Sequence, residues 1–289
     1  MSRIRALLGR WRRPAPRPAA RPLPPWMDDA PRDPWARTAP AAGRWCRICG
    51  WTGEAFDGVA HCESATCPTC GSIARDRFLF HCFVATTPRP TQRLRVLETS
   101  PRLDERYRRA MAGWFDYLSS DFDERAHRGA IRVDLQAIDL PDASLDVVLT
   151  PHVLEHVPDT DRALAELHRV LAPGGVVLLQ VPLLQAATAP PAEPEFHGDD
   201  TPVFWRFGWD LTDRLRDHGF EVSVLVPQAL AEAAGAGWPG PSSPEFDADA
   251  IARAADPAAL TVVADAAASR QQGFEPGYQF VTWRASRPR

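Results

Sequence analysis

Lysine is absent from this chain of 289 residues, and all 33 of its basic side chains are arginines. With 29 prolines and abundant alanine, the simplest source of that bias is GC-rich coding rather than a functional choice. An excess of positive charge is missing as well. The formal net charge is −4, which argues against a nucleic-acid footprint spread over the whole protein. No apolar run reaches the roughly 18 residues that a membrane span needs. The basic N-terminus MSRIRALLGRWRRPAPRPAARPLPP carries an apolar run too short for a secretory signal. Six cysteines in this length do not make a disulfide scaffold, so a cytoplasmic location is expected. Glycine is missing from VLETSPR, residues 96–102, where a strand runs into a turn that glycines usually make.

What is present reads as an ordinary globular protein, 45% hydrophobic and 24% charged. Residues 1–43 are rich in Arg, Pro and Ala without a sustained period. They read as a disordered tail, with an arginine arm touching RNA or anionic lipid as the alternative. Residues 44–71 carry most of the cysteines. Residues 72–85 read as a helix with Ser72 at its N-cap. Strands are expected over 93–98, 114–120, 130–133, 144–150, 176–182, 221–227 and 278–285, with helices over 103–112, 160–172 and 208–220. In the helix over 160–172, Ala163, Leu164, Leu167, Val170 and Leu171 recur on one face. Residues 183–207 form a Pro-rich loop of the length that lids have, and residues 228–270 read as a helical insertion. The alternation implies an α/β fold with a mostly parallel sheet covered on both faces.

Cys46-Arg-Ile-Cys49-Gly and Cys67-Pro-Thr-Cys70-Gly are two CxxCG hooks separated by 17 residues, the spacing of a zinc ribbon or knuckle. Each hook aims two thiolates at one centre, and four thiolates complete a closed tetrahedral site for a structural Zn²⁺. A redox dithiol and coincidental pairing are the other readings. His61 and Cys62 lie between the hooks as substitute ligands, and Cys82 reads as a small core residue.

The segment SLDVVLTPHVLEHVPDTDRALAELHRVLAPGGVVLLQVP resembles the class I S-adenosylmethionine-dependent methyltransferases of the type-11 group. The likeness rests on Asp146-Val147-Val148, His152-Val153-Leu154-Glu155-His156 and Arg169-Val170-Leu171-Ala172-Pro173-Gly174-Gly175. The cysteine hooks, FHGD (196–199) and FGWDLTDRLRDHGF (207–220) resemble a bacterial subgroup with an N-terminal CxxC…CxxC knuckle and no assigned acceptor. The resemblance implies a Rossmann-like, seven-stranded sheet whose last strand is antiparallel, with S-adenosylmethionine at the carboxyl ends of its first strands. It places Glu98 at the end of strand one, with Thr99, Ser100, Pro101 and Arg102 in the glycine-poor loop. Ser100 can donate to the cofactor there, and Arg102 can pair with its carboxylate. The resemblance also puts Asp121, or less well Asp116, on the ribose, Asp134 and Leu135 on the adenine, and Pro151 at the end of strand four.

Methyl transfer from a sulfonium leaves a neutral group, so positioning supplies most of the acceleration and a base matters only for a protonated O–H or N–H. His152, past strand four, and His197, in the long loop beside Asp199 and Asp200, are the candidate bases. His156 reads as orienting the turn. Trp205, Arg206, Trp209 and Asp210 are candidates for an acceptor wall, with the bland alternative that the tryptophans cover the sheet edge. The function expected is methyl transfer to a small-molecule or sugar-like acceptor. An RNA methyltransferase gripping nucleic acid with the knuckle and tail, and a non-catalytic protein that kept the fold, remain the alternatives.

Overall fold

The computed structural model describes residues 33–36, 43–58, 65–103, 105–123, 129–182, 187–197, 200–227, 260–263 and 281–289. Most of the expected tail, most of the 228–270 insertion, Asp199, His61 and Cys62 lie outside these residues. Among the described residues, no helix is long and apolar enough to cross a membrane.

A two-stranded ribbon comes first, β1 (Arg44–Trp45) and β2 (Thr52–Gly53). Helix α1 follows over Ala74–Thr86. It starts later than the sequence suggests, and Ser72 is not its cap. The Ile73 amide donates to Asp76 Oδ2 at 3.0 Å, closing the first turn, while the Ser72 hydroxyl turns toward the cysteines. The alternating region supplies β3 (Arg95–Thr99), α2 (Glu105–Trp114), β4 (Asp116–Asp121), β5 (Ile131–Arg132) and β6 (Leu145–Pro151). Then come α3 (Thr160–Val170), β7 (Leu171–Gln180), a short hairpin of β8 (Glu195–Phe196) and β9 (Pro202–Val203), α4 (Leu211–Asp217), β10 (Glu221–Pro227), β11 (Leu260–Val263) and β12 (Thr282–Ser286).

The main sheet runs β11-β10-β12-β7-β6-β3-β4-β5. Strands β5, β4, β3, β6 and β7 are mutually parallel. The last strand, β12, slots antiparallel between β7 and β10, as the resemblance implies. An eighth strand, β11, pairs antiparallel outside β10. It corrects the expectation of helix at 260–263, where Leu-Thr-Val-Val has the branched character of a strand. Residues 187–207 also depart from a plain loop, because they carry the β8–β9 hairpin.

Burial follows the periodicity. Ala163, Leu164, Leu167 and Val170 of α3 have no exposed surface, and each large one contributes about 1.5–3 kcal/mol by leaving water. Asp159 caps this helix, its carboxylate accepting from the Arg162 amide at 3.0 Å. Past α4, Gly219 is left-handed (φ +86°). Its amide donates to the Arg216 carbonyl, and the Phe220 amide donates to the Leu215 carbonyl, which closes the helix as a Schellman turn. The N-terminal stretch is not wholly solvated. Trp35 packs edge-on against Phe83 and Phe115 at 6.0 and 5.9 Å and donates its indole N–H to the Thr87 carbonyl.

The motif residues of the resemblance hold the scaffold. Asp146 accepts from the Arg95 amide and guanidinium at 2.9–3.0 Å, tying β6 to β3. Arg169 donates to the Ile138 and Leu140 carbonyls and to Glu166.

Candidate functional site

Chain order reverses between β3 and β6: from β3 the sheet builds out through β4 and β5 on one side, and β6 opens the other. Crevices at such switch points are where open α/β sheets bind ligands. Here the crevice is lined by Glu98 of β3, Leu149 and Pro151 of β6, Pro101, Arg102 and Leu103 of the loop, Tyr107 of α2, and Asp76, Leu79 and Phe80 of α1. About 330 Å³ of space, part of it open solvent, lies within it.

Glu98 sits in this crevice only 4% exposed. The Tyr107 hydroxyl donates to both of its oxygens at 3.0 and 2.9 Å, and the Tyr117 hydroxyl donates to Oε2 at 2.7 Å. Burial pushes the carboxyl up to about 7, against the tyrosine bonds that favour its ionised form. The sequence pattern marks neither tyrosine as a functional group. Each lies on an apolar-facing position of a regular element, with nothing local to mark it as a carboxylate partner.

The glycine-free loop keeps the backbone shape that glycine would give. Ser100 takes φ +49°, a left-handed conformation that costs a non-glycine residue about 1–2 kcal/mol. Two bonds hold it there: its amide donates to the Ser120 carbonyl at 2.6 Å, and its hydroxyl to Asp121 Oδ2 at 3.1 Å. Thr99 is buried, its hydroxyl 3.5 Å from the Leu149 carbonyl. Loop and β4 are thus laced together at the carboxyl edge.

Asp121 ends β4 on that edge and is nearly buried, accepting from Ser100 and from the Asp123 amide. Asp116 starts the same strand at its opposite end, away from the crevice side. Asp134, just past β5, accepts from the Gln136 amide and side chain at 2.9 and 3.1 Å, shaping its own turn. Leu135 is packed in the core.

Beyond β6, His152 is also left-handed (φ +51°), its amide donating to the Gln180 carbonyl. Its Nδ1 lies 3.6 Å from Glu155 Oε1, and His156 Nε2 lies 4.0 Å from the same atom. Glu155 is 1% exposed. Burial raises its carboxyl, yet His152 and then His156 hold it below the usual value. The structure brings His197 to this group: its ring meets that of His156 at 4.7 Å, edge to face. His156 also reaches across to the Pro202 carbonyl at 2.7 Å, pinning the hairpin. The four candidate acceptor-wall side chains each have a structural partner. Trp205 donates to the Pro158 carbonyl, Arg206 pairs with Glu195, Asp210 accepts from Thr188, and Trp209 packs against Trp283 in the core.

The four cysteine sulfurs of residues 46, 49, 67 and 70 lie within 4.8 Å of one another. The Cys46–Cys70 and Cys49–Cys67 pairs are 3.6 Å apart, near the roughly 3.8 Å edge of a tetrahedron with 2.3 Å metal–sulfur bonds. The hooks are built alike. Gly50 and Gly71 are left-handed (φ +79° and +71°), and their amides donate to the Cys46 and Cys67 carbonyls. Hydrogen bonding from Cys49, Cys67 and Cys70 holds the Cys46 thiol well below its ordinary range. Cys82 is buried in α1, apart from the cluster.

Residues 109–179 match the family model of a methyltransferase domain. A protein of Mycolicibacterium smegmatis described as a probable S-adenosylmethionine-dependent methyltransferase is 36% identical over 117 residues, 36% of this chain and 43% of that one. An uncharacterized 37.1 kDa protein in transposon TN4556 of Streptomyces fradiae is 45% identical over 101 residues, 32% of this chain and 29% of that one. The chain therefore spans less than half the length of these curated relatives. A solved S-adenosylmethionine-dependent methyltransferase from Mesorhizobium loti overlays 67% of this chain and 91% of its own at 17% identity, with a TM-score of 0.41. The matched stretch holds β4, β5, β6, α3 and nearly all of β7, so the likeness to a methyltransferase domain covers most of the parallel core of the sheet.

Proposed function

We propose that the chain transfers a methyl group from S-adenosylmethionine to a small-molecule acceptor, with residues 44–71 as a structural zinc module and residues 72–289 as the catalytic domain. The observation that carries this reading is the crevice at the switch point, walled by Glu98, Leu149 and Pro151. Its lining of acids plus Arg102 suits the amino-acid end of the cofactor. The nucleoside end would follow the carboxyl ends of β4 and β5, with Asp121 on the ribose and Leu135 and Asp134 beside the adenine.

Bound there, the cofactor supplies an electrophilic methyl on a neutral leaving group. The protein's part is to orient and exclude water. The laced Thr99–Ser100 loop presents a rigid backbone edge, so little ordering remains to be done on binding. His152 and His197 would take a proton from an acceptor O–H or N–H, with Glu155 stabilising the imidazolium beside it. Phe196 and Phe204, 59% and 38% exposed, flank the β8–β9 turn that carries His197 and offer apolar contact to such an acceptor.

Zinc fits the donor set: four soft thiolates within 4.8 Å of one another, two pairs of them at spacings near the tetrahedral value. Calorimetric titration with S-adenosylmethionine tests the main reading, and a flat trace at millimolar cofactor removes it. Metal analysis should return one zinc per chain. A Cys67→Ala protein that retains its zinc rules out the four-cysteine site.

A further inference from the structure

We propose that Ser72 and Arg77 are positioning residues of the metal centre, Ser72 as a hydrogen-bond donor to its thiolates and Arg77 as its counter-charge. This rests on the four cysteines holding zinc. Ser72 follows the second hook and has no exposed surface. Its hydroxyl lies 3.1 Å from Cys70 Sγ and 3.5 Å from Cys46 Sγ. A metal-bound cysteine is a thiolate without a proton, so the hydroxyl is the donor in both contacts. One proton serves two sulfurs, one from each hook. Outer partners of this kind orient metal ligands and set their donor strength.

Arg77 supplies charge. It is 7% exposed, and its guanidinium lies 3.7 Å over the Phe56 ring. It donates to the Ser72 carbonyl and, at 2.8 Å, to the Ala65 carbonyl. These partners carry only partial charges, and among the described residues the guanidinium forms no ion pair with a carboxylate. A cation buried in this way needs a compensating anion. Zinc on four thiolates is a doubly negative cluster, and Cys46, Cys67 and Cys70 are buried.

The backbone sets the two charges side by side. The Ser72 carbonyl that takes Arg77 also accepts from the Cys67 amide at 2.8 Å, and Ala65 lies just before Cys67 in the chain. Burial works against the charge of Arg77. The thiolates of Cys46 and Cys67 favour that charge more than the neighbouring Asp76 carboxylate does.

The test reads the metal rather than methyl transfer. Purified wild type without zinc removes the zinc reading itself, whatever these two residues do. On protein that holds zinc, affinity measured by competition with a chelator should fall about 10–100-fold in Ser72→Ala and in Arg77→Met, as loss of outer partners does. Arg77→Lys keeps the charge and should stay within about tenfold of the wild type. A loosened fold also lowers affinity, so the second readout is the Co²⁺-substituted protein. There Ser72→Ala should move the thiolate-to-cobalt charge-transfer band to longer wavelength, because a sulfur that loses a hydrogen bond gives up electrons more readily. The ligand-field bands should keep the intensity of a tetrahedral four-sulfur site. Wild-type zinc affinity in Ser72→Ala overturns the Ser72 assignment, and so does an unmoved charge-transfer band. Wild-type affinity in Arg77→Met overturns the counter-charge. Arg77→Lys that falls beyond tenfold does the same, and it decides the matter alone where Arg77→Met does not fold.

Discussion

Replacing Glu98 by Gln should make the protein's stability less sensitive to pH. In the folded protein, burial carries the Glu98 carboxyl from an ordinary 4.5 up to about 7. Between those values the folded chain keeps a proton that the unfolded chain has released. Folded molecules then bind more protons than unfolded ones, so stability falls as pH rises through the window. Below the lower value the two states are equally protonated and nothing is lost; above the upper one the loss is complete. At 1.36 kcal/mol per unit the full cost is about 3 kcal/mol, of which roughly 2.5 falls between pH 5 and pH 8. Because the side chain is nearly inaccessible, solvent screening removes little of it. Gln keeps the shape and one oxygen for the tyrosine hydroxyls but does not titrate. Urea unfolding of both proteins at pH 5, 6, 7 and 8 should show the variant gaining on the wild type by that amount as pH rises. A constant offset across the series refutes the argument, since it means the carboxyl titrates alike in both states.

Ser100→Val should destabilise by about 1–2 kcal/mol relative to Ser100→Gly, because a β-branched side chain meets the left-handed backbone that glycine takes freely; equal urea midpoints would contradict the strained turn. Arg169→Ala should cost roughly 1–3 kcal/mol by removing the guanidinium donor of the Leu140 carbonyl and one of the two donors of the Ile138 carbonyl, read as a fall in the unfolding midpoint. Leu164→Ala, at a position without exposed surface, should cost about 2–5 kcal/mol. A loss below 1 kcal/mol there would mean α3 is not seated on the sheet as described.

The parallel core was legible because its signals are local and redundant. Strand β10 matches its expected span of 221–227, since a run of alternating valines bounded by Gly219 and a proline admits little else. Helix α3 shows the face that its apolar spacing announces. Where signals were weak, the reading failed locally. The β8–β9 hairpin has two residues a side, too few for a period. Ser72 looks like a cap by residue type, but the cysteines claim its hydroxyl. For Trp205, Trp209, Arg206 and Asp210 the sequence leaves acceptor wall and sheet-edge cover both open, and only the packing shows the partner of each.

The sequence by itself determined the order of the parallel-core strands and their helices, the pairing of two cysteine hooks, and which acids end β3 and β4. Those features are written in neighbours a few residues apart, where spacing and turn chemistry suffice. Only the tertiary structure decided that two tyrosines occupy Glu98, that Asp76 shares its crevice, and that His197 meets His156. Such meetings join residues far apart in the chain, and no local pattern encodes them. They arise when the sheet's twist and the packing of α1 and the hairpin bring separate segments to one edge.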